Sequence, residues 1–293
     1  MKKKKNKKRR QSFGFGLLFL MGFLIMMYPM FSQWYYRVEA SREIASFEGE
    51  RVEMDPALIA ERMALARAYN ETLDPSRLSD PYTELEERGR AEYARMLEIQ
   101  EKIGHVEIPK MNEDIPIYAG TSESILQKGA GHLEGTSLPI GGNSTHTVIT
   151  AHRGLPTKKL FRQLDRLHEG DVFYIHNIET VLAYEVDQIL TVEPTNFEPV
   201  LVVEGEDYAT LLTCTPYMIN SHRLLVRGHR IPYTPPVDES KLTNLLPNMD
   251  WLDYLKIALF IVLLLSTIAG YQFKEERKVT KKVKSYEKET KDD

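Results

Sequence analysis

The chain has 293 residues, 42% of them hydrophobic and 27% charged, which allows one core of ordinary size with accessory segments and excludes several large domains. The formal net charge of -4 averages two basic ends and a neutral middle, so it carries little information about partners. The single cysteine, Cys214, excludes an internal disulfide.

The first 36 residues predict a basic cytoplasmic tail followed by a transmembrane helix. Residues 1–10 contain eight Lys and Arg residues, and residues 11–36 contain no charged residue. About 20 apolar residues are enough to cross a hydrocarbon core. Trp34, Tyr35 and Tyr36 follow at the position where an aromatic belt is expected. A cleaved signal peptide is the alternative interpretation of the same pattern.

A second charge-free run, residues 257–273, follows Trp251 and Tyr254, and predicts a second transmembrane helix over residues 251–273. A buried core helix is the alternative. The tail of residues 274–293 holds eight Lys and Arg against six Asp and Glu. The positive-inside rule therefore places both termini in the cytoplasm and the intervening chain outside the cell membrane. Anionic membrane lipid, and not nucleic acid, is the expected partner of the basic ends.

Residues 37–102 have the periodicity of two helices separated by a loop at about 74–82. Two Asp-Pro steps lie in this loop, at Asp74-Pro75 and Asp80-Pro81. The residue before a proline is disfavoured in the helical region, so both steps favour a turn.

Residues 103–232 predict a mainly β domain, followed by a linker over residues 233–250. Short β-like runs are separated by Gly, Pro and Asn, a pattern typical of a sandwich or barrel. The expected strands cover residues 103–108, 115–118, 147–151, 172–176, 181–192, 209–214 and 223–230. Short helices are expected at Ser122–Gln127, with Ser122 as the N-cap, and at Lys159–Leu167. No cluster of His, Cys, Asp and Glu has the spacing of a metal site, so neither metal nor cofactor is predicted.

Cys214 and His152 stand at the ends of two predicted strands. His152 follows the apolar run Thr147–Ala151, and Cys214 closes the run that begins at Ala209 and is stopped by Pro216. A nucleophilic cysteine must be a thiolate, and histidine is its usual partner. Strand ends that lead into loops are frequent sites for such groups. Taken without its surroundings, however, a lone cysteine is more often a buried structural residue.

A cation near the cysteine could stabilise the oxyanion of a tetrahedral intermediate. Arg223 opens the last predicted strand and Arg227 lies four residues further on. Alternation places both on the same face of that strand, so the spacing leaves the choice between them open.

The segment Thr210–Gly228 closely resembles the active-site stretch of class C sortases, the pilin-polymerising transpeptidases of Gram-positive bacteria. Its Thr-Leu-x-Thr-Cys motif ends at Cys214, and the Thr-Ala-His-Arg-Gly context surrounds His152. The resemblance implies that Cys214, His152 and Arg223, nine residues after the cysteine, are catalytic. It also implies a closed β-barrel between two membrane helices. One departure is Met218, which stands where the family commonly has glycine.

The resemblance further implies a lid, formed by the Asp-Pro-aromatic motif at Asp80, Pro81 and Tyr82. Asp80 is expected to pair with an active-site arginine while Tyr82 covers the thiol. The implied substrates are pilin or surface proteins with an LPxTG-like sorting signal, and the acceptor amine comes from a pilin lysine or a cell-wall precursor. The alternatives are a sortase that anchors single proteins to the cell wall and a non-catalytic, membrane-tethered assembly module.

Overall fold

The computed structural model describes residues 2–73, 78 and 92–234, together with isolated residues between 258 and 280. The chain divides into two compact units, Met1–Glu239 and Ser240–Asp293, and the described residues of the second unit are helical. The predicted lid residues Asp80, Pro81 and Tyr82 lie outside the described residues. Most of the predicted linker and of the second predicted span also lies outside them.

The first unit begins with two helices, α1 (Lys2–Glu53) and α2 (Pro56–Glu71). Asp55 is the N-cap of α2, where its side chain accepts a hydrogen bond of 2.9 Å from the backbone N–H of Ala57. A capping carboxylate followed directly by proline is a strong helix start. The predicted span of residues 11–36 lies within α1. No helix formed by the described residues combines the length and the apolar character that a membrane crossing requires.

Within the described ranges, eight strands form a closed barrel in the order β1-β2-β3-β4-β7-β8-β6-β5. The pairs β2–β3 and β4–β7 are parallel, and the other neighbours are antiparallel. The strands are β1 (Lys102–Ile108), β2 (Glu113–Ala119), β3 (Ala130–His132), β4 (Thr145–Thr150), β5 (Val172–His176), β6 (Val181–Val192), β7 (Asp207–Thr215) and β8 (His222–Ile231). A short helix, α3 (Glu123–Leu126), precedes β3, with Ser122 at its N-cap position as predicted. The predicted mainly β closed barrel is confirmed.

The helix predicted at Lys159–Leu167 is wrong. Only a single 3-10 turn, Leu164–Arg166, forms there. Leu160, Phe161 and Leu164 are all fully buried, so apolar residues recur at helical spacing without a helix. Leu160 has a φ of 46°, in the left-handed region, which interrupts any right-handed helix at that point.

Helices α1 and α2 pack on the barrel and contribute to its core. Phe47 of α1 and Met63 of α2 are each 1% exposed and belong to the same apolar cluster as the barrel interior. An ion pair also joins α1 to the sheet, with Lys102 Nζ lying 2.5 Å from Glu43 Oε2. The C-terminal part of α1, which carries Glu43 and Phe47, and helix α2 are therefore packed on the barrel.

Two buried histidines should make the fold sensitive to acid. Burial lowers the pKa of His132 and of His146 to about 4, against an unfolded value near 6.5. The unfolded chain therefore binds more protons than the folded chain once the pH falls below about 6.5. We expect each residue to reduce the free energy of unfolding by about 3 kcal/mol between pH 6.5 and pH 4.

Urea unfolding of the full chain in detergent, measured at pH 7 and at pH 4.5, checks this expectation. His132→Gln and His146→Gln should each flatten the dependence of stability on pH, because glutamine has no proton to gain. His168→Gln is the matched control, since the side chain of His168 is 76% exposed. An unchanged pH dependence in both buried variants would show that other groups cause the acid sensitivity.

Candidate active site

Three strand ends meet at one edge of the barrel. Strands β4 and β7 are adjacent and parallel, so their carboxyl ends lie together, and β8 begins at the same edge because it is antiparallel to β7. Thr150 pairs with Leu212, and the Ala151 N–H continues the ladder by donating to the Leu212 carbonyl at 3.2 Å. Residues His152 and Cys214 each lie two positions beyond this last register pair, so we expect their side chains at the same edge of the barrel.

Cys214 and Arg223 are direct partners across the β7–β8 pair. Side chains of directly opposed residues in an antiparallel pair lie on the same face, with Cβ atoms about 5 Å apart. Cys214 is 5% exposed and Arg223 is 4% exposed. The structure therefore brings a buried thiol and a buried guanidinium together.

The alternation of each strand identifies the face on which these groups lie. A small apolar cluster lies apart from the main core and consists of Leu133, Val148, Val200, Leu212 and Leu225; we call it the outer cluster. Cys214 is two residues from Leu212, and Arg223 is two residues from Leu225, so both share the face of the outer cluster. His152 lies two residues beyond the end of β4, and the alternation of that strand, if extended, places it on the face of Val148. The candidate site thus lies outside the barrel, next to an apolar floor.

Backbone carbonyls orient the arginine. Arg223 Nη1 donates to the carbonyls of Asn220 and His222, each at 3.0 Å. On the other side of the site, His152 Nε2 lies 3.3 Å from Glu123 Oε2, and the His152 side chain is 19% exposed. Glu123 was not among the sequence candidates, because nothing in the chain order relates α3 to the end of β4. Its carboxylate can pair with His152 when the imidazole is protonated.

The structure distinguishes the two arginines that sequence spacing left open. Arg227 pairs in register with Thr210, four residues before Cys214. Its guanidinium binds Asp187 with two hydrogen bonds of 3.0 and 3.1 Å and lies 4.1 Å from the centroid of the Tyr208 ring. Such a bidentate pair occupies the planar fork of the guanidinium. Arg223 is therefore the arginine next to the thiol.

Two loop residues explain local sequence features of the site. Gly154, two residues after His152, has a φ of 105°, and a Cβ there would lie 2.6 Å from Arg162 Nε. Both observations require glycine in this turn.

Met218, in the loop after Cys214, has a φ of 67° and is 81% exposed. A left-handed conformation is one that glycine adopts without strain, which accounts for the glycine common at this position in class C sortases.

One residue of the predicted lid loop is described. Leu78 is partly buried and packs against the outer cluster, on the face of the sheet that carries Cys214. Leu78 is thus the one described residue of the predicted lid loop, and it lies on the face of the candidate site.

Among the described residues, Glu48, His105 and His176 come closest to a set of metal ligands, with ligand atoms within 4.8 Å of one another. The two imidazole rings stack, with centroids 4.0 Å apart and planes 16° apart. Stacked rings direct their nitrogen lone pairs side by side and not toward one point, which is poor geometry for a shared ion. Glu48 lies on α1 and the two histidines lie on β1 and β5, whereas Cys214 lies on β7.

His105 is instead the centre of a charge network that joins α1 to the barrel. Its Nδ1 lies 2.7 Å from Asp114 Oδ1 and its Nε2 lies 3.3 Å from Glu48 Oε1. Burial opposes the charged form of His105, but the hydrogen bonds to Asp114 and Glu48 outweigh burial and raise its pKa to about 9. The network therefore stabilises the docking of α1 at neutral pH and loses this contribution as the pH rises toward 9.

A closed barrel with a cysteine, a histidine and an arginine at one edge has the groups of a cysteine acyl-transfer enzyme. Comparison with known proteins agrees. The Sortase domain family matches residues 106–231. The Sortase C crystal structure from Streptococcus pneumoniae is 62% identical, with a TM-score of 0.62, and the match covers 67% of this chain and 100% of that one. The chain belongs to the sortase family, in its class C branch.

Two further relatives support this placement. A pilus-related Sortase C of Group B Streptococcus is 61% identical, with a TM-score of 0.63, and the match covers 64% of this chain and 97% of that one. Sortase A of Bacillus anthracis is 25% identical over 223 residues, which cover 76% of this chain and 95% of the relative. The similarity to sortase C proteins is thus much stronger than the similarity to this sortase A. The protein is a cysteine transpeptidase.

Proposed function

We propose that Cys214 is the nucleophile that cleaves an LPxTG-like sorting signal and joins pilin subunits to one another. The observation that carries this proposal is the direct register pairing of Cys214 with Arg223, at the edge where β4 delivers His152. Both the thiol and the guanidinium are almost fully buried, so the charges that develop there are poorly screened by water. A structural cysteine would need neither partner.

The first chemical step forms a thioester. The Cys214 thiolate attacks the carbonyl carbon of the signal's threonine, and Arg223 stabilises the oxyanion of the tetrahedral intermediate. The bond between this carbon and the glycine nitrogen then breaks, while protonated His152 gives its proton to the leaving amine. The threonine remains bound to Cys214 as a thioacyl group.

The second step transfers that acyl group to an amine. The lysine attacks the thioester carbon as a neutral amine, and neutral His152 accepts the proton that its nitrogen loses, which restores the protonated imidazole. Collapse of the intermediate breaks the bond between carbon and sulfur, regenerates the Cys214 thiolate and leaves an amide. With a lysine of another pilin as the nucleophile, that amide is an isopeptide bond between subunits.

Pilin is the preferred substrate class because the similar solved structures include a pilus-related Sortase C at 61% identity. Anchoring of single proteins to the cell wall uses the same first step with a different amine. The two reactions are distinguished by incubating the full chain in detergent with candidate pilins that carry LPxTG-like tails. Polymerisation predicts a covalent ladder that disappears when the acceptor lysine is replaced by arginine. Release of single cleaved pilins, with transfer only to a cell-wall precursor, would support anchoring instead.

We also propose that the segment containing Asp80 and Tyr82 covers Cys214 at rest. The packing of Leu78 on the outer cluster supports this, because Leu78 is two residues before Asp80 and lies on the face that carries the thiol. In the closed lid, Asp80 pairs with an active-site arginine; Arg223 is the candidate because it is the register partner of Cys214, whereas Arg227 is bound to Asp187. Access to the thiol then depends on lid opening.

Replacing both Asp80 and Tyr82 by alanine should speed alkylation of Cys214 by iodoacetamide about tenfold, because loss of about 1.4 kcal/mol of lid closure raises the open population by that factor. The rate is measured by intact mass, and the single cysteine makes the label unambiguous. Asp74→Ala is the matched control, since the Asp74-Pro75 step lacks the aromatic residue. Equal rates in all three proteins would show that this loop does not cover the thiol.

We propose that the chain is a two-pass protein of the cell membrane, with both termini in the cytoplasm and the barrel outside. Support comes from the charge-free run of residues 11–36, in which Leu18 is 61% exposed and Ile25 is 68% exposed. Exposed apolar side chains on a helix are unfavourable in water, and the lipid of a membrane would bury them. A membrane-impermeant maleimide applied to intact cells should label Cys214 of the Asp80 and Tyr82 double variant. Labelling only after lysis would place the barrel inside.

A further inference from the structure

The residues on either side of Cys214 are bonded to the residues on either side of His152. The Thr213 hydroxyl donates to the carbonyl of Ala151 at 2.7 Å. Arg153 Nη1 donates to the Thr215 hydroxyl. Because successive side chains of a strand point to opposite faces, Thr213 and Thr215 lie on the face opposite the thiol. Two side-chain hydrogen bonds thus join the end of β7 to the residues that flank His152, on the face of the sheet opposite the candidate site.

These hydrogen bonds connect the two chain segments beyond the end of the β4–β7 ladder. Within the described residues, the last β4–β7 ladder bond runs from the Ala151 N–H to the Leu212 carbonyl, one residue before His152, so the β4–β7 ladder ends before it reaches His152. His152 must exchange its proton with an amine on the carbon that is bonded to Cys214, over a hydrogen-bond distance of about 2.6 to 3.2 Å, so its position relative to the sulfur matters. A displacement of 1 Å costs about 100-fold in rate. Something beyond the strand ends must therefore hold the two loops in place.

The contacts of Arg153 can hold these two segments in place. This arginine is 9% exposed, and its second terminal nitrogen, Nη2, lies 2.7 Å from Asp165 Oδ2. Asp165 belongs to the 3-10 turn Leu164–Arg166, whose Leu164 is fully buried in the main core. One planar guanidinium thus connects the residue after His152, the residue after Cys214 and a turn anchored in the barrel. A rigid fork of donors suits such a three-way connection better than a flexible ammonium.

We propose that Arg153 is a positioning residue, which sets the separation of His152 and Cys214 through Thr215 and Asp165. The inference rests on the proposed function, because it takes this histidine and this cysteine as the reacting pair. Arg153 is not proposed to contact substrate. Its effect is on the geometry of proton transfer, so it should change kcat and leave KM nearly unchanged.

The test compares Arg153→Met, Arg153→Lys, Thr215→Val and Thr215→Ser in the full chain in detergent, with an LPxTG-like fluorogenic peptide. We expect Arg153→Met and Thr215→Val each to lower kcat by about 10- to 100-fold with KM within about twofold. Thr215→Ser keeps the hydroxyl and should remain near the parent, while Arg153→Lys should recover part of the loss. The double variant Arg153→Met with Thr215→Val should be no slower than the slower single variant, because both changes break one bond.

A second readout needs no peptide. The rate of Cys214 alkylation by iodoacetamide is measured against pH, and its midpoint should shift in Arg153→Met and return toward the parent in Arg153→Lys. Urea midpoints are measured for every variant. The proposal is overturned if Arg153→Met keeps the parent kcat and the parent alkylation profile, if its loss matches the fraction unfolded, or if the double variant shows the product of the two single losses.

Failure of this inference and failure of the proposed function look different. If the parent itself forms no thioacyl adduct on Cys214 with any sorting-signal peptide, the proposed function fails. If the parent forms the adduct and Arg153→Met forms it equally fast, only the positioning role fails.

Discussion

Cys214→Ala will remove acyl transfer, lowering the rate of sorting-signal cleavage by about 10⁴-fold or more. Cys214 is the only cysteine in the chain, so no second thiol can take over its role. Alanine cannot form a thioester, and the remaining His152 and Arg223 have no nucleophile to activate or oxyanion to stabilise. The rate is measured by liquid chromatography of the peptide products, which detects both cleavage and transfer.

The same variant should remain folded. Cys214 is 5% exposed, and its replacement removes one sulfur atom at the edge of a small apolar cluster. We expect a loss of about 1 kcal/mol of stability at most. A urea midpoint close to that of the parent, together with absent activity, separates the loss of the nucleophile from the loss of the fold. Residual cleavage above about 1% of the parent rate would contradict the assignment of Cys214.

Arg223→Met should lower kcat/KM by about 10²- to 10³-fold, and most of the loss should be in kcat. Removal of one oxyanion donor costs about 3 to 4 kcal/mol of transition-state stabilisation. The oxyanion exists only after the thiolate has attacked, so binding of the peptide is little affected. Arg223→Lys should recover only part of the rate. The guanidinium can donate to the Asn220 and His222 carbonyls and still present further N–H groups to the oxyanion, whereas an ammonium lacks this planar set of donors.

Arg227→Met is the matched control for this prediction. Arg227 lies on the same strand, four residues further on, and its guanidinium is bound by Asp187. Its removal should reduce stability by about 1 kcal/mol and leave kcat within about twofold of the parent. Equal losses of kcat in the two variants would show that the register pairing of Cys214 with Arg223 does not determine which arginine acts.

Much of the barrel could be predicted from the sequence, because its strands are short, alternating and bounded by turn residues. The predicted ranges 172–176 and 181–192 coincide with β5 and β6. Strand β3, with the sequence Ala130–His132, was missed because three residues are too few to show alternation. The false helix at Lys159–Leu167 arose from buried residues at helical spacing, a pattern that a winding loop against a core can also produce.

The candidate site was predictable to a different extent at each residue. Motif spacing identified Cys214 and His152, but their closeness depends on the parallel pairing of β4 with β7, which are far apart in the chain. The choice of Arg223 over Arg227 depends on register with β7 and could not follow from alternation alone. Local periodicity contains no information on such long-range pairing.

Two contacts near the site had no signal in the sequence at all. Glu123 meets His152 from a four-residue helix, and Arg153 bonds to Thr215 across two loops. Neither Glu123 nor Arg153 belongs to a sequence pattern that would predict its partner. Side-chain contacts between loops depend on the packing of the whole barrel edge, and only coordinates reveal them.

The most direct test of the central claim is capture of the acyl intermediate. The full chain in detergent is mixed with an LPxTG-like peptide for a few seconds, quenched in acid and analysed by intact mass and peptide mapping. We expect a mass increase on Cys214 equal to the peptide through its threonine, which is absent in Cys214→Ala and is removed by a lysine-containing acceptor. Cleavage of the peptide without this adduct, or an adduct on another residue, would contradict the central claim.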